Sequence, residues 1–506
     1  LLDMLNLAIP SWSDLVHFRP EAILLGTFLA ALVADLLVRG RRPAVPFVVT
    51  LFGLVTALAY AVADLSDPPA RVLGDLIVID GMAAYFRILF IFVSLATVLF
   101  AWSSEEIMGR AREHKGEFYA LIAILTAGMC VMAEARELIM LYLAMEMVGL
   151  TSYVLAGYMR TSLRSTEASL KYVIFGAVSS GIMLYGLSLL YGLTGATTFD
   201  GIRAALATGD VNPLALMVVT LLVMAGMGYK IAMVPFHFWC PDVYEGAPTP
   251  ITAIFSVGPK AAGFALLIRF FYSTMLAGPD AAATSAFLAE VNWPLLVAIL
   301  SAVTMTYGNL VALRQTNVKR MLAYSSIAHA GYLLMGFLLL TAKGLEAILF
   351  YLLAYAIMNL GAFLFVVAIN NTLRSEELED YHGLGFRAPW AAAIMFVFLI
   401  SLTGLPPTVG FVGKFLLFVE VLRQEYYWLA ILAVVNSVIS LWYYMRICYA
   451  MFFRPSPVEG PAGRIAIAPL HYVVLTALVV PTLYLGVMWF FVKDLADQAI
   501  GRFTIM

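Results

Sequence analysis

The 506-residue sequence predicts an all-α integral membrane protein with fourteen transmembrane helices. Three observations predict it. The chain is 62% hydrophobic and only 12% charged, whereas soluble domains carry about 25% charged residues, and its mean hydropathy is +0.92. Apolar runs recur along its whole length, each near the roughly 20 residues that a spanning helix needs. Single ionisable residues then interrupt several of those runs. A charge near a bilayer's centre costs at least about 2.5 kcal/mol, so it is rarely kept there without a role.

The first three spans are read at 20–38, 44–64 and 78–102. Five follow between 116 and 276, at 116–133, 137–159, 166–192, 212–231 and 249–276. Five more lie between 291 and 453, at 291–312, 318–340, 343–370, 388–421 and 426–453, and a last one covers 468–492. The stretch 232–248 and the long run 388–421 do not fit straight helices. No segment has a soluble-domain composition or a nucleotide-binding glycine signature, so a single membrane domain over 1–506 is expected.

Loop charges orient the chain, because cytoplasmic loops are enriched in Lys and Arg. One side receives Arg39, Arg41 and Arg42, then Arg110, Arg112 and Lys115, then Arg160 and Arg164. The same side receives Arg314, Lys319, Arg320, Arg374, Arg387, Arg454 and Arg464. The opposite loops carry mostly single basic residues: Arg71, Arg136, Arg203, Lys343 and Arg423. The first side is therefore expected to be cytoplasmic, with both termini opposite it. The first apolar run follows Asp3, Asp14 and Glu21 rather than a basic n-region, so no cleavable signal peptide is expected.

A weak internal repeat appears at an offset of 179 residues. Segment 143–177 aligns with 322–356 without a gap, and Tyr153, Leu155, Gly157, Glu167 and Ala168 meet Tyr332, Leu334, Gly336, Glu346 and Ala347. Helix 5 then corresponds to helix 10. Units of five helices offset by five have opposite orientations, the inverted-repeat plan in which transporters place their site between repeats. Two helix-breaking stretches fit that plan. One carries Pro235, His237 and Pro241, in helix 7; the other carries Pro406, Pro407, Gly410 and Gly413, in helix 12. Proline removes a helix donor and clashes with the preceding turn, and freed backbone groups at membrane depth must face protein or a wet cavity. Taken singly, each stretch also fits a packing kink or a loop.

Glu146, Lys230, Lys260 and Lys414 each lie in a different apolar segment and suggest a buried path for an ion, most simply a proton. A desolvated lysine holds its proton less tightly, and a nearby carboxylate restores it, so such groups can relay protons. Plainer roles also fit: a neutral buried carboxyl for Glu146, and snorkelling to an interface for Lys230, Lys260 and Lys414. Lys171 lies about a turn and a half inside helix 6, where snorkelling is a real option. His329 and His237 fit either a satisfied core histidine or a proton carrier, since an ordinary imidazole titrates near neutrality. Asp242 and Glu245 fit helix-end caps or liners. Cys130, Cys240 and Cys448 have no paired spacing, so no metal, iron–sulfur or disulfide framework is expected. Net charge of -2 argues against a nucleic-acid partner.

Four strings carry a family resemblance: GYKIAMVPFHFWCPDVYEGAPTPITA (228–253), QTNVKRMLAYSSIAHAGYLLMG (315–336), LTGLPPTVGFVGKF (402–415) and EASLKYVIFGAVSSGIMLYGLSLLYGLTG (167–195). They resemble the antiporter-like membrane subunits of respiratory complex I, and the forms PDVYEGAPTP and EASLKY are most similar to the subunit N branch of NADH-quinone oxidoreductases. The resemblance covers roughly residues 75–455. It implies fourteen transmembrane helices, inverted repeats over helices 4–8 and 9–13, and broken helices 7 and 12. It further implies Glu146 as the helix 5 glutamate, Lys230 as its helix 7 partner, Lys260 as the central helix 8 lysine, Lys414 as the helix 12 lysine near an exit half-channel, and Lys171 as a helix 6 lysine. Such a subunit carries no cofactor. FMN, iron–sulfur clusters and quinone are expected in partner subunits of a complex I type assembly in the cell (inner) membrane, and this chain would couple their redox chemistry to proton translocation. An Mrp-type cation/proton antiporter subunit is the competing reading, because the same fold and lysines would serve it.

Overall fold

The structure, a computed structural model, describes residues 12–38, 44–108, 116–207, 211–275, 292–339, 341–455 and 465–503. Helix α1 (Trp12–His17) leads into α2 (Arg19–Val38) and α3 (Ala44–Ala63). A small antiparallel hairpin, β1 (Ala70–Val72) and β2 (Ile77–Ile79), places Ala70 opposite Ile79. It precedes α4 (Gly81–Ser103) and the single turn α5 (Glu105–Met108). The next group is α6 (Gly116–Glu134), α7 (Leu138–Ala156), α8 (Leu163–Thr194), α9 (Phe199–Ala207), α10 (Pro213–Ile231), α11 (Trp239–Gly246) and α12 (Thr249–Thr274). Then come α13 (Trp293–Ala312), α14 (Val318–Leu338), α15 (Ala342–Leu373), α16 (Leu384–Arg387), α17 (Pro389–Thr403), α18 (Val409–Arg423), α19 (Tyr427–Phe453), α20 (Pro469–Val487) and α21 (Phe490–Gly501).

Thirteen of the described helices are long and apolar enough to cross a membrane, and the shorter apolar α17 joins α18 as a fourteenth, broken crossing. Helix starts follow their capping residues. Asp80, Glu137, Asn212, Asn292, Asn317 and Thr341 each accept a hydrogen bond from a backbone N–H of the first turn, which satisfies donors that the helix itself leaves free. Proline at the first position follows Asn212, where its missing N–H costs nothing.

The core is built by α12 and α14, buried along their lengths, with α15 beside them. The perimeter is apolar: Leu29, Leu36 and Leu37 on α2, Leu143 and Val154 on α7, Val178 and Tyr185 on α8, and Val438 and Trp442 on α19 are exposed. An exposed apolar rim around a polar-containing centre is what a bilayer solvent demands.

One sequence expectation changes, and the expected break of 388–421 is present. The last span, read as 468–492, ends at Val487, and Phe490–Gly501 forms a separate helix, α21, whose apolar start had been counted into the span. Residues 388–421 divide into α17 and α18 around Gly404–Thr408. Of the basic residues used for orientation, Arg39, Arg41, Arg42, Arg110, Arg112, Lys115 and Arg464 lie outside the described residues, as do the boundaries Leu276 and Val291.

Candidate functional site

Both breaks form where the sequence placed helix breakers. Helix α10 stops at Ile231, and Ala232 turns the chain at φ 59°, a left-handed conformation that a β-carbon disfavours. The Val234–Pro235 peptide is cis. The carbonyl of Tyr229, freed at the end of α10, accepts the Trp239 indole N–H at 2.9 Å. His237 is buried against Phe238 and Tyr307, each ring centroid 4.4 Å away. The second break repeats the plan with different chemistry. Helix α17 ends at Gly404, φ 89°, and the Pro406–Pro407 peptide is cis. Here the freed carbonyls of Leu402 and Thr403 accept hydrogen bonds from Lys414 Nζ at 3.2 and 2.8 Å. The C-terminal end of a helix carries partial negative charge, so an ammonium there is well placed.

Lys230, Lys260 and Lys414 are all buried, at 2%, 4% and 3% exposure, which rules out snorkelling for these three. Lys230 has no hydrogen bond or ion pair among the described residues. Glu146 is the acidic group whose charge reaches it, yet the two do not form an ion pair. Glu146 is half-buried and lines a cavity of about 570 Å³ together with Tyr142, Tyr153, Ser169 and Ser180. Tyr153, which shares that cavity, comes close to Tyr229, the neighbour of Lys230 in sequence. Tyr153 and Tyr229 hydroxyls both crowd the space beside Gly176, and Tyr229 Oη donates to Tyr172 O at 3.1 Å.

Lys260 Nζ donates to Ser326 Oγ at 2.5 Å, sits 3.7 Å from Cys240 Sγ, and lies 5.3 Å from the Tyr244 ring centre. Pro259 precedes it inside α12 and cannot donate to the carbonyl of Phe255; the Tyr244 hydroxyl donates to that carbonyl instead, at 3.0 Å. One tyrosine thus repairs the proline defect and faces the lysine. One turn along α14 from Ser325, His329 Nδ1 meets Tyr351 Oη at 2.6 Å and Nε2 meets Tyr444 Oη at 3.2 Å. Tyr444 Oη also bonds Ser325 Oγ, and the Tyr444 and Tyr443 rings are 4.4 Å apart. Tyr443 Oη donates to Asn309 Oδ1 at 3.0 Å, and Asn309 Nδ2 donates to Tyr332 Oη at 3.2 Å and to Asn436 Oδ1 at 3.2 Å. Lys414 closes the chain: its Nζ donates to Ser437 Oγ at 3.4 Å and lies 4.5 Å from the Tyr332 ring centre. The structure therefore brings Lys260, His329 and Lys414 onto one polar seam through the core, with Lys230 and Glu146 toward α7 and α8.

Lys171 takes neither of its extremes. It is 37% exposed and ion-paired with Asp242 at 2.6 Å and Glu167 at 2.8 Å. Asp242 also meets Arg320 at 2.7 Å, and Arg320 meets Glu245 at 2.8 Å. This cluster lines a cavity of about 280 Å³. Arg320, read from sequence as a topology signal, is its hub.

Sequence reading did not single out Ser326, Tyr351, Tyr444, Asn309, Tyr332 or Ser437. The signal was present as polar side chains at helical spacing within apolar runs, such as Ser325 and His329, or Tyr351, Tyr355 and Asn359. It also passed over Arg87 and Arg269, two arginines inside apolar runs that the logic applied to the lysines would have flagged. Arg269 is 1% exposed and holds Asp80 in a two-pronged pair at 2.5 and 2.8 Å. Among the described residues no group of three or more His, Cys, Asp or Glu side chains could hold a metal ion.

Comparison with known proteins fits this geometry. Residues 135–440 match the family described as NADH:quinone oxidoreductase/Mrp antiporter, TM. The chain belongs to this family. It is 43% identical over 486 residues to NADH-quinone oxidoreductase subunit N 2 of Chloroherpeton thalassium, covering 96% of this chain and 94% of that one. Among solved structures, it is similar to a chain of respiratory complex I from Thermus thermophilus with bound aureothin, at 32% identity and TM-score 0.77, over 94% of this chain and 99% of the other. A chain of the Mrp complex from a Dietzia species shares the fold, with TM-score 0.82 at 24% identity over 96% of this chain and 97% of that one.

Proposed function

We propose that this chain is the subunit-N-type, antiporter-like membrane subunit of a proton-translocating NADH-quinone oxidoreductase. In that role it relays protons along Glu146, Lys171, Lys230, Lys260, His329 and Lys414. The observation that carries the reading is the placement of three lysines, all fully buried, with no carboxylate in ion-pair contact and with neutral hydroxyls, amides and an imidazole strung between two of them. A buried ammonium without a counter-ion is costly, but a lysine can shed its proton, so each is suited to alternate between two states. Ser, Tyr and Asn side chains both donate and accept, and a proton can pass along them. Nothing in this chain is required to carry electrons; FMN, iron–sulfur clusters and quinone would be held by the partner subunits, and protons alone would pass through this one.

The same reading places the chain in the cell (inner) membrane with both termini on the side opposite the cytoplasm. It also treats 116–276 and 291–453 as inverted units in which α7 corresponds to α14. The likeness to the Mrp chain is a likeness of fold at 24% identity, and the higher identity to subunit N relatives, 43%, supports the redox-linked role. The deciding experiment is Lys230→Ala in the intact complex, reconstituted into vesicles. Pumping per quinone reduced should fall by most of its wild-type value while the complex stays assembled. Wild-type pumping at matched assembly would reject the relay, and co-purification with cation/proton antiporter subunits instead of redox subunits would favour the Mrp-type reading.

A further inference from the structure

Away from the lysine seam, a second set of ionisable groups is buried where α2, α4 and α6 meet. Arg87 on α4 and Glu134 on α6 have no exposed surface, and neither does Glu21 on α2. The single Arg87 Nε–H points at two carboxyl oxygens at once, Glu21 Oε1 at 2.8 Å and Glu134 Oε1 at 2.8 Å. Arg87 Nη2 reaches Glu21 Oε2 at 2.7 Å and the backbone carbonyl of His17 at 3.3 Å. The two carboxyl groups are thus brought together at that one N–H. Around them stand Asp64, in the turn after α3 and 3.9 Å from Arg87 Nη1, and Arg19, paired with Asp64 at 2.8 Å. Asp67 lies near enough to act on Asp64, the Tyr60 ring stands 5.0 Å from Arg19, and Cys130 on α6 also faces the cluster. Arg269 of α12, the next cation inward, is committed to Asp80 and to the carbonyl of Ala133.

The charges do not balance. Two guanidinium groups face three carboxyl groups, and a guanidinium is always charged. Arg19 is matched by Asp64, so Arg87 alone answers both Glu21 and Glu134. Two carboxylates sharing one buried site repel each other, which favours a proton on one of them. Glu134 Oε2 is buried with no hydrogen-bond donor, as are Asp64 Oδ2 and, for lack of an acceptor, Arg87 Nη1, and of these Glu134 Oε2 belongs to the pair that shares one guanidinium. A buried carboxylate oxygen without a donor is expensive, and protonation turns it from an unmet acceptor into a donor.

We propose that Glu21 and Glu134 form a proton-binding pair that holds one shared proton under Arg87, a site separate from the lysine seam and independent of whether that seam relays protons. One proton from water forms an O–H bond on one carboxyl, which donates to the other, and the five-residue cluster becomes neutral. Because α6 packs on α7, which bears Glu146, the pair sits one helix away from the first residue of the proposed relay.

The test is infrared difference spectroscopy on the intact complex in membranes, comparing wild type with Glu21→Gln, Glu134→Gln and Asp64→Asn. A shared proton predicts that the same protonated-carboxyl C=O band is lost in both Gln variants, because the remaining glutamate then has Arg87 to itself and ionises. It also predicts that the band survives in Asp64→Asn. A band lost in one Gln variant only, or in neither, overturns the proposal. Should a Gln variant fail to assemble, Glu134→Asp keeps the acid but moves it. The shared band must then shift, and an unchanged spectrum overturns the proposal equally.

Discussion

Gly404→Ala tests whether the second break exists to position Lys414. The backbone at Gly404 is left-handed, at φ 89° and ψ 49°, and a β-carbon in that region costs about 1–2 kcal/mol. That β-carbon would also stand 2.8 Å from Lys414 Cδ and 3.5 Å from Cε. Carbon atoms prefer separations of about 3.5–4.0 Å, so the lysine must move by roughly 1 Å or the turn must open. The Thr403 carbonyl bond at 2.8 Å and the Ser437 bond at 3.4 Å cannot both survive such a shift. The expected loss of stability is about 1–3 kcal/mol, small enough for the complex to assemble. The expected loss of pumping is larger, since misplacing a reacting group by about 1 Å can cost on the order of 100-fold in rate. Ala232→Gly is the opposite perturbation at the first break, where φ is 59°; it should stabilise by roughly 1 kcal/mol and leave pumping intact. Both are read from thermal unfolding of the intact complex and from proton uptake per quinone reduced in vesicles. If Gly404→Ala pumps at the wild-type level at matched assembly, Lys414 does not depend on the geometry of this turn and the reasoning fails.

Two further outcomes follow from close contacts. A β-carbon at Gly176 would collide with the Tyr153 hydroxyl and lie 2.8 Å from that of Tyr229, so Gly176→Val should cost about 1–3 kcal/mol by overpacking and should slow pumping by displacing the tyrosine that shares the Glu146 cavity; unchanged pumping would show that these hydroxyls are not needed. Lys260→Arg keeps the charge but cannot lose it, so assembled complexes carrying it should pump far below wild type in the same vesicle assay, and full activity would mean that the position needs only a cation.

How much of this was legible in the sequence depends on the kind of signal. Long apolar runs located the crossings to within a few residues, because one helix's hydropathy is a local property. The breaks at Pro235 and Pro406–Pro407 were legible for the same reason. The deep lysines stood out as charges in hydrocarbon. The seam joining them did not, because its hydrogen bonds link residues far apart in the chain: Asn309 with Tyr443, Ser325 with Tyr444, and Lys260 with Ser326. A lone Ser, Tyr or Asn in an apolar helix is common enough to pass without comment. Helix α21 was hidden because Phe490 and Phe491 continue the apolar run, and nothing local reports that the chain turns at Met488. The matched arginines were missed for a different reason: their meaning lies in their partners, Glu21 and Glu134 for Arg87 and Asp80 for Arg269, which come from distant segments.

The division of labour between the two kinds of buried cation is the more informative pattern. Arg87, Arg269 and Arg136 are each within ion-pair distance of a carboxylate. Lys230, Lys260 and Lys414 are buried to the same degree, and their contacts are neutral: a serine hydroxyl and a thiol for Lys260, carbonyls, a serine and an aromatic face for Lys414. An arginine side chain stays charged in a dry site, so it is stable there only with a fixed counter-charge. A lysine has a second option, which is to become neutral. Neutral partners suit that option, since each serves either protonation state, whereas a carboxylate in contact would lock the charge in place. Matched arginines therefore fasten helices together, at Asp80 and α12 most visibly, and under the proposed relay the three lysines, with no carboxylate in contact among the described residues, are the groups left to change state. Lys319, buried to 1% exposure yet paired with Glu376 at 3.0 Å, behaves like the arginines, so under the proposed relay it is the lack of a contacting carboxylate, not residue type alone, that sets Lys230, Lys260 and Lys414 apart.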